Sequence, residues 1–195
     1  RIRELFDELR GHGRYGAVLE GIFPVQAEMN ECQRSLVADR VQDGVFDPDR
    51  RYDKWPLERQ ELREAGVPLS GPMPTQLFAP SQWPMIRETL LGELWSIAPI
   101  VKMRPSPLQR LQAVLNVCRV LYSLRYHRPT SKLTGLEWAL RTFPEAWQDL
   151  LTHAHAIYTG LATLTPGSLN PDHVWTFYSW AVNTLPQDLQ AQAST

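Results

Sequence analysis

The residues of this sequence best suited to chemistry are an arginine, a lysine, a tyrosine and a glutamate in apolar or helix-terminal surroundings. Arg119 lies in the run Leu115-Asn-Val-Cys-Arg-Val-Leu-Tyr-Ser123, on or beside the apolar side of an expected helix. A guanidinium keeps its charge in any environment, so it calls for a carboxylate or a phosphate opposite it. Lys132 follows Pro129-Thr130-Ser131 at an expected helix start. There, backbone N–H groups and an ammonium together favour an anion. Tyr158 lies on the following helix with a hydroxyl to place. Glu20 interrupts the apolar stretch Ala17 to Val25, which reads as a strand, and an unpaired carboxylate is costly to bury.

Each of these side chains has two readings. Arg119 is either half of a structural ion pair or an anion ligand, and Lys132 is either solvated or an anion ligand. Glu20 either meets an internal arginine or belongs to a carboxylate set that holds Mg²⁺ against a nucleotide.

Other chemistries lack their residues. The sequence has no Gly-rich phosphate loop ending in Lys-Ser/Thr, and no GxGxxG, HExxH or GxSxG motif. His153 and His155 are two apart on an expected helix, so they diverge and cannot jointly grip a metal. Cys32 and Cys118 show no Cys-x-x-Cys spacing, which points to two reduced thiols and a cytoplasmic protein. A formal net charge of −1 supplies no basic field for nucleic acid. The apolar stretches are too short to span a bilayer, so no membrane partner is expected.

The elements that would position these residues follow from periodicity and capping. Ile2, Leu5, Phe6 and Leu9 have helical spacing, and Gly11 and Gly13 can stop that helix before the strand. Gln26 to Trp55 is polar and acidic and reads as an irregular linker. Pro56 can open a helix that Gly66 closes, and Val67 to Phe78 is turn-rich. Ser81, Ser106-Pro107, Thr130-Ser131, Pro144 and Asn170-Pro171-Asp172 then mark the starts of successive helices. The second of these is the most strongly patterned, with Leu108, Leu111, Leu115, Cys118, Tyr122 and Leu124 along one broad side. The expected fold is therefore mainly α: an antiparallel helical bundle preceded by a helix and a strand. Seven tryptophans are expected to supply buried area between helices.

The run Val67-Pro-Leu-Ser-Gly-Pro-Met-Pro-Thr-Gln-Leu-Phe78 resembles a signature of aminoglycoside adenylyltransferases of the streptomycin/spectinomycin type. So do Leu115 to Ser123 and the following Thr130-Ser-Lys-Leu-Thr-Gly-Leu-Glu-Trp-Ala139. In that family a nucleotidyltransferase domain with a Gly-Ser motif, an Asp-x-Asp pair and a third carboxylate precedes a helical domain that closes over ATP and drug. The resemblance implies that residues 1–30 are the end of the nucleotidyltransferase domain, 31–55 an acidic linker and 56–190 the helical C-terminal domain. It implies AMP transfer from ATP–Mg²⁺ to a hydroxyl of an aminoglycoside-like acceptor. Glu20 would be the third carboxylate, serving as general base and metal ligand, and Arg119, Lys132 and Tyr158 would contact the ATP phosphates. Trp95 would stack on the acceptor.

Two departures from the family pattern bear on this expectation. Neither a Gly-Ser nor an Asp-x-Asp motif precedes Glu20, so the chain as given is expected to be catalytically incomplete, with too few carboxylates for Mg²⁺. The stretch Trp95 to Gln112, rich in acids and tryptophan in the family, here carries Lys102, Arg104 and Arg110 and no acid, a poor match to a polycation. Asp47 or Asp53 could contribute charge instead. The alternative is a non-catalytic helical module, derived from that family, that binds a ligand or a protein.

Overall fold

A computed structural model of the chain describes residues 2–11, 21–24, 35–42, 45–103 and 105–186. It is mostly helical, with a small antiparallel sheet near the N-terminus. The chain divides into two compact units, Arg1–Met85 and Ile86–Thr195.

The first unit contains helix α1 (Ile2–Gly11), strands β1 (Gly21–Phe23), β2 (Leu36–Gln42) and β3 (Val45–Tyr52), and helices α2 (Trp55–Ala65) and α3 (Pro74–Leu77). The sheet order is β1-β2-β3, antiparallel throughout. The stretch expected to be an irregular linker is therefore largely a hairpin, and α2 groups with it rather than with the later helices. Its charges hid this, because the acids and bases alternate across strands. Arg40 lies opposite Asp47 in the register and forms an ion pair with it at 3.6 Å, and Arg50 reaches the same carboxylate at 3.7 Å. Arg51 holds Asp53 at 2.7 Å. Both acids suggested as partners for a cationic drug thus already face arginines.

Pro48 breaks the strand alternation as well. Between Ala38 and Arg40 the register shifts, and Asp49 adopts a left-handed backbone with φ 50° while its N–H donates to Asp39 Oδ1. A bulge is the place in a sheet where a proline, lacking an N–H, is tolerated. Across it the inward-facing residues of β2 change from Leu36 and Ala38 to Val41. Leu36, Ala38, Trp55 and Phe78 form a small core with Ile22, Tyr52 and Leu77 packed against it. Phe6 of α1 is buried and its ring lies 6.2 Å from that of Phe46. Ser81, expected to cap the next helix, instead accepts a hydrogen bond from Arg59, a fully buried arginine on α2.

The second unit holds most of α4 (Trp83–Lys102), then α5 (Pro107–Tyr126), α6 (Lys132–Thr142), α7 (Gln148–Tyr158) and α8 (Pro171–Asn183). The capping residues act as expected from their types. Ser106 Oγ accepts the Gln109 N–H while the Gln109 side chain accepts the Ser106 N–H, a reciprocal box with Pro107 in the first turn. Ser131 caps α6 through the Thr134 N–H, and Asn170 caps α8 through the N–H groups of Asp172 and His173. A short 3₁₀ turn, Glu145–Trp147, intervenes between Pro144 and α7.

Helix α5 is the axis of this unit and packs against α6, α7 and α8. It buries more than one stripe: Ala113, Val114, Val117, Val120 and Leu121 are inside as well as Leu111, Leu115, Cys118 and Tyr122. Such all-round burial marks a central helix. Leu108, expected inside, is exposed because it sits in the first turn, before the neighbouring helices cover the surface. Rings of Tyr122, Trp138, Phe143, Trp147, Phe177 and Trp180 pack edge-on or tilted in a continuous chain. Burial pushes the Cys118 thiol well above its ordinary range, so it stays protonated, and it is a free cysteine. Cys32 lies outside the described residues, as does the tail beyond Pro186. Among the described residues no helix is long and apolar enough to cross a membrane.

Candidate functional site

The site builds outward from a close helix crossing. Gly135 lies in the middle of α6, where glycine is normally unfavourable by about 1 kcal/mol relative to alanine. A Cβ at this position would stand 2.7 Å from the Cα of Arg119 and 2.8 Å from its nitrogen. Only glycine lets the backbone of α6 rest on α5 at that level.

Lys132 is the first residue of α6, one turn before Gly135, and its Nζ donates to Gln112 Oε1 at 2.6 Å. Gln112 and Arg119 are seven residues apart on α5, so they share a side of the helix about 10 Å apart along its axis. Asn116 lies between them, with a buried Oδ1 that has no hydrogen-bond partner among the described residues. Gln112, Asn116 and Arg119 thus form a polar stripe along one side of α5, with Lys132 bonded at its N-terminal end. Lys132 also places a positive charge at a helix N-terminus, where the dipole disfavours it. An anion beside it would relieve that conflict.

Helix α4 supplies the remaining member. Glu93 forms an ion pair with Arg119, and the two side chains are only 10% and 13% exposed. A pair this far from water is strongly coupled, and removing one partner from such a pair is far more damaging than at a surface.

The other expected site residues are placed differently. Tyr158 ends α7, is 42% exposed, and among the described residues makes no hydrogen bond to Arg119 or Lys132. Trp95 is half-buried on α4, two positions beyond Glu93 and therefore roughly 200° around the helix from it. It does not share the face that meets Arg119. Glu20 lies outside the described residues. Among the described residues no group of three His, Cys, Asp or Glu side chains could hold a metal ion, so none is assigned to Mg²⁺.

Glu93, Gln112 and Gly135 were not anticipated from the sequence. Two of them left a signal. Gly135 is a lone glycine inside a helical pattern, which calls for a packing reason, and Glu93 is an acid within the apolar stripe Leu90-Leu-Gly-Glu-Leu94. Gln112 left none, because an exposed glutamine looks the same on paper.

Residues 96–182 match the family model of the aminoglycoside adenylyltransferase C-terminal domain. Over those residues the helical unit is similar to that domain. The match takes in α5, α6 and α7 whole, and with them Arg119, Lys132, Tyr158, Gln112 and Gly135. Glu93 and Trp95 precede it, on the same helix α4 in which it begins. Arg119 and Lys132 are thus brought to one side of α5 by residues that the chain order alone does not connect.

Proposed function

We propose that the helical unit holds the triphosphate of ATP for transfer of AMP to a hydroxyl of a small-molecule acceptor. The observation that carries this reading is the placement of Arg119 and Lys132 along one polar side of α5, through the Gly135 crossing. Nucleotidyl transfer is governed largely by positioning and by neutralising negative charge spread over the phosphates. A fixed guanidinium and a helix-terminal ammonium serve both ends. Mg²⁺, when bound with the nucleotide, would supply Lewis-acid neutralisation of its phosphate oxygens.

In this reading Arg119 exchanges part of its interaction with Glu93 for phosphate, and Lys132 exchanges Gln112. Tyr158, an exposed residue at the end of α7, donates its hydroxyl to a phosphate oxygen at the rim. Glu20 acts as general base and metal ligand, and Trp95 offers a ring to the acceptor. Residues up to about 30 would then derive from the nucleotidyltransferase domain, and the acceptor would be aminoglycoside-like.

A second reading is favoured by the same contacts. Arg119 and Lys132 already have protein partners, which suits a helical module that has kept its architecture without catalysis. Calorimetry with ATP and Mg²⁺ separates the two. Saturable binding that weakens about tenfold or more in Lys132→Gln, as loss of a charge-assisted phosphate contact requires, supports nucleotide binding. Absence of binding by the folded protein, or binding unchanged by Lys132→Gln, supports the non-catalytic module.

A further inference from the structure

On another side of α5 the helical unit has a half-open cavity of about 600 Å³ whose charges are not balanced. Lys102 at the end of α4, Arg110 in the first turns of α5, and Asp172 and Trp175 of α8 line it, along with Val101 and two prolines, Pro105 and Pro171. Arg110 and Gln112 are two positions apart, roughly 200° around the helix, so this cavity lies away from the stripe that carries Lys132 and Arg119.

Arg110 is 7% exposed. One Nη donates to the Pro166 carbonyl at 2.6 Å, and Nε has no hydrogen-bond partner. Among the described residues no carboxylate lies within ion-pair distance of Arg110 or of Lys102. The Lys102 ammonium instead sits 4.9 Å from the centre of the Trp175 ring. A permanently charged, buried guanidinium without a counter-charge is costly to the fold, and a bound anion would supply that charge. The aromatic face holds the second cation at the cavity wall. The backbone N–H groups of Asp172 and His173 are already taken by Asn170, so the helix terminus itself contributes no donor from those positions.

We propose that this cavity is a second anion site, binding a small phosphate- or carboxylate-bearing ligand between Arg110 and Lys102 with Trp175 as one wall. Asp172 opposes the anion and sets its affinity below what two cations alone would give. The site is independent of nucleotide binding along α5.

The test is isothermal titration of the protein with sodium phosphate and, separately, sodium citrate, with ionic strength held constant by sodium chloride. Saturable binding of at least one probe is expected, and the tighter of the two names the ligand's head group. Lys102 is exposed, so Lys102→Gln leaves the fold intact and should weaken binding about tenfold. Asp172→Asn, which removes the opposing charge, should tighten it severalfold. Lys132→Gln should leave unchanged the part of the binding that Lys102→Gln weakens. The proposal is overturned if neither probe binds beyond chloride, if Lys102→Gln binds as the parent does, or if Lys132→Gln abolishes binding.

Discussion

Two ion pairs, one in each unit, show how differently the same chemistry behaves in the two halves of this molecule. Arg40 and Asp47 pair across the hairpin at 3.6 Å, with side chains 28% and 38% exposed. Glu93 and Arg119 pair between α4 and α5 with about a tenth of each side chain exposed. In the first pair water screens the attraction and solvates either partner if the other leaves. In the second, both charges have left water, and each depends on the protein for its solvation. The hairpin pair sits opposite in the register of two strands; the helical pair holds a functional candidate between two helices.

The sharpest way to break this comparison is to delete one acid from each unit. Glu93→Ala is expected to lower stability by about 3 kcal/mol, the scale for removing one member of a buried pair. Urea denaturation followed by circular dichroism would measure it. A loss below about 1 kcal/mol would mean that Arg119 finds equivalent solvation without Glu93 and that the contrast is illusory.

Gly135→Ala comes next. The added methyl meets the backbone of Arg119, so an overpacking cost of about 1–3 kcal/mol should outweigh the gain in helix propensity. Because α6 must move, Lys132 moves with it, and affinity for ATP–Mg²⁺ should fall more than in a variant of equal stability loss elsewhere in the unit. Stabilisation by alanine would show that the crossing relaxes freely.

Asp47→Asn should have the smallest effect, within about 1 kcal/mol and shrinking as salt is added. The carboxylate faces Arg40 and Arg50, both partly exposed, so its loss is shared with solvent. A larger, salt-independent loss in the same denaturation assay would put the hairpin on the same footing as the helical unit.

The two units also differ in how far their sequences announce them. In the helical unit, Ser106, Ser131 and Asn170 each stand before an apolar repeat, and each caps the helix it was expected to cap. Capping is local: the side chain reaches an N–H two or three residues away, so chain order is enough. The hairpin gives no such signal. Its stabilising pairs join residues such as Arg40 and Asp47 on neighbouring strands, and its alternation is interrupted at Pro48-Asp49. A run of acids and arginines reads as a solvated linker until its partner strand is known.

The functional candidates divide along the same line. Residue type and position within local motifs marked Arg119 and Lys132 as candidates and left each with two readings, and both lie in the stretch that matches the aminoglycoside adenylyltransferase C-terminal domain. They were not enough to show Glu93 facing Arg119, Gln112 holding Lys132, or Gly135 setting the distance between their helices. Nor could they show that Arg110, one cation among three in a linear stretch, is buried beside a cavity while Lys102 is exposed at the same cavity. By itself, the sequence determined where α5, α6 and α8 begin and which charges call for a partner or for solvent, because those follow from neighbours within a turn or two. Which partner each charge meets was decided only by the tertiary structure, because burial and pairing depend on the surfaces that other helices bring to it.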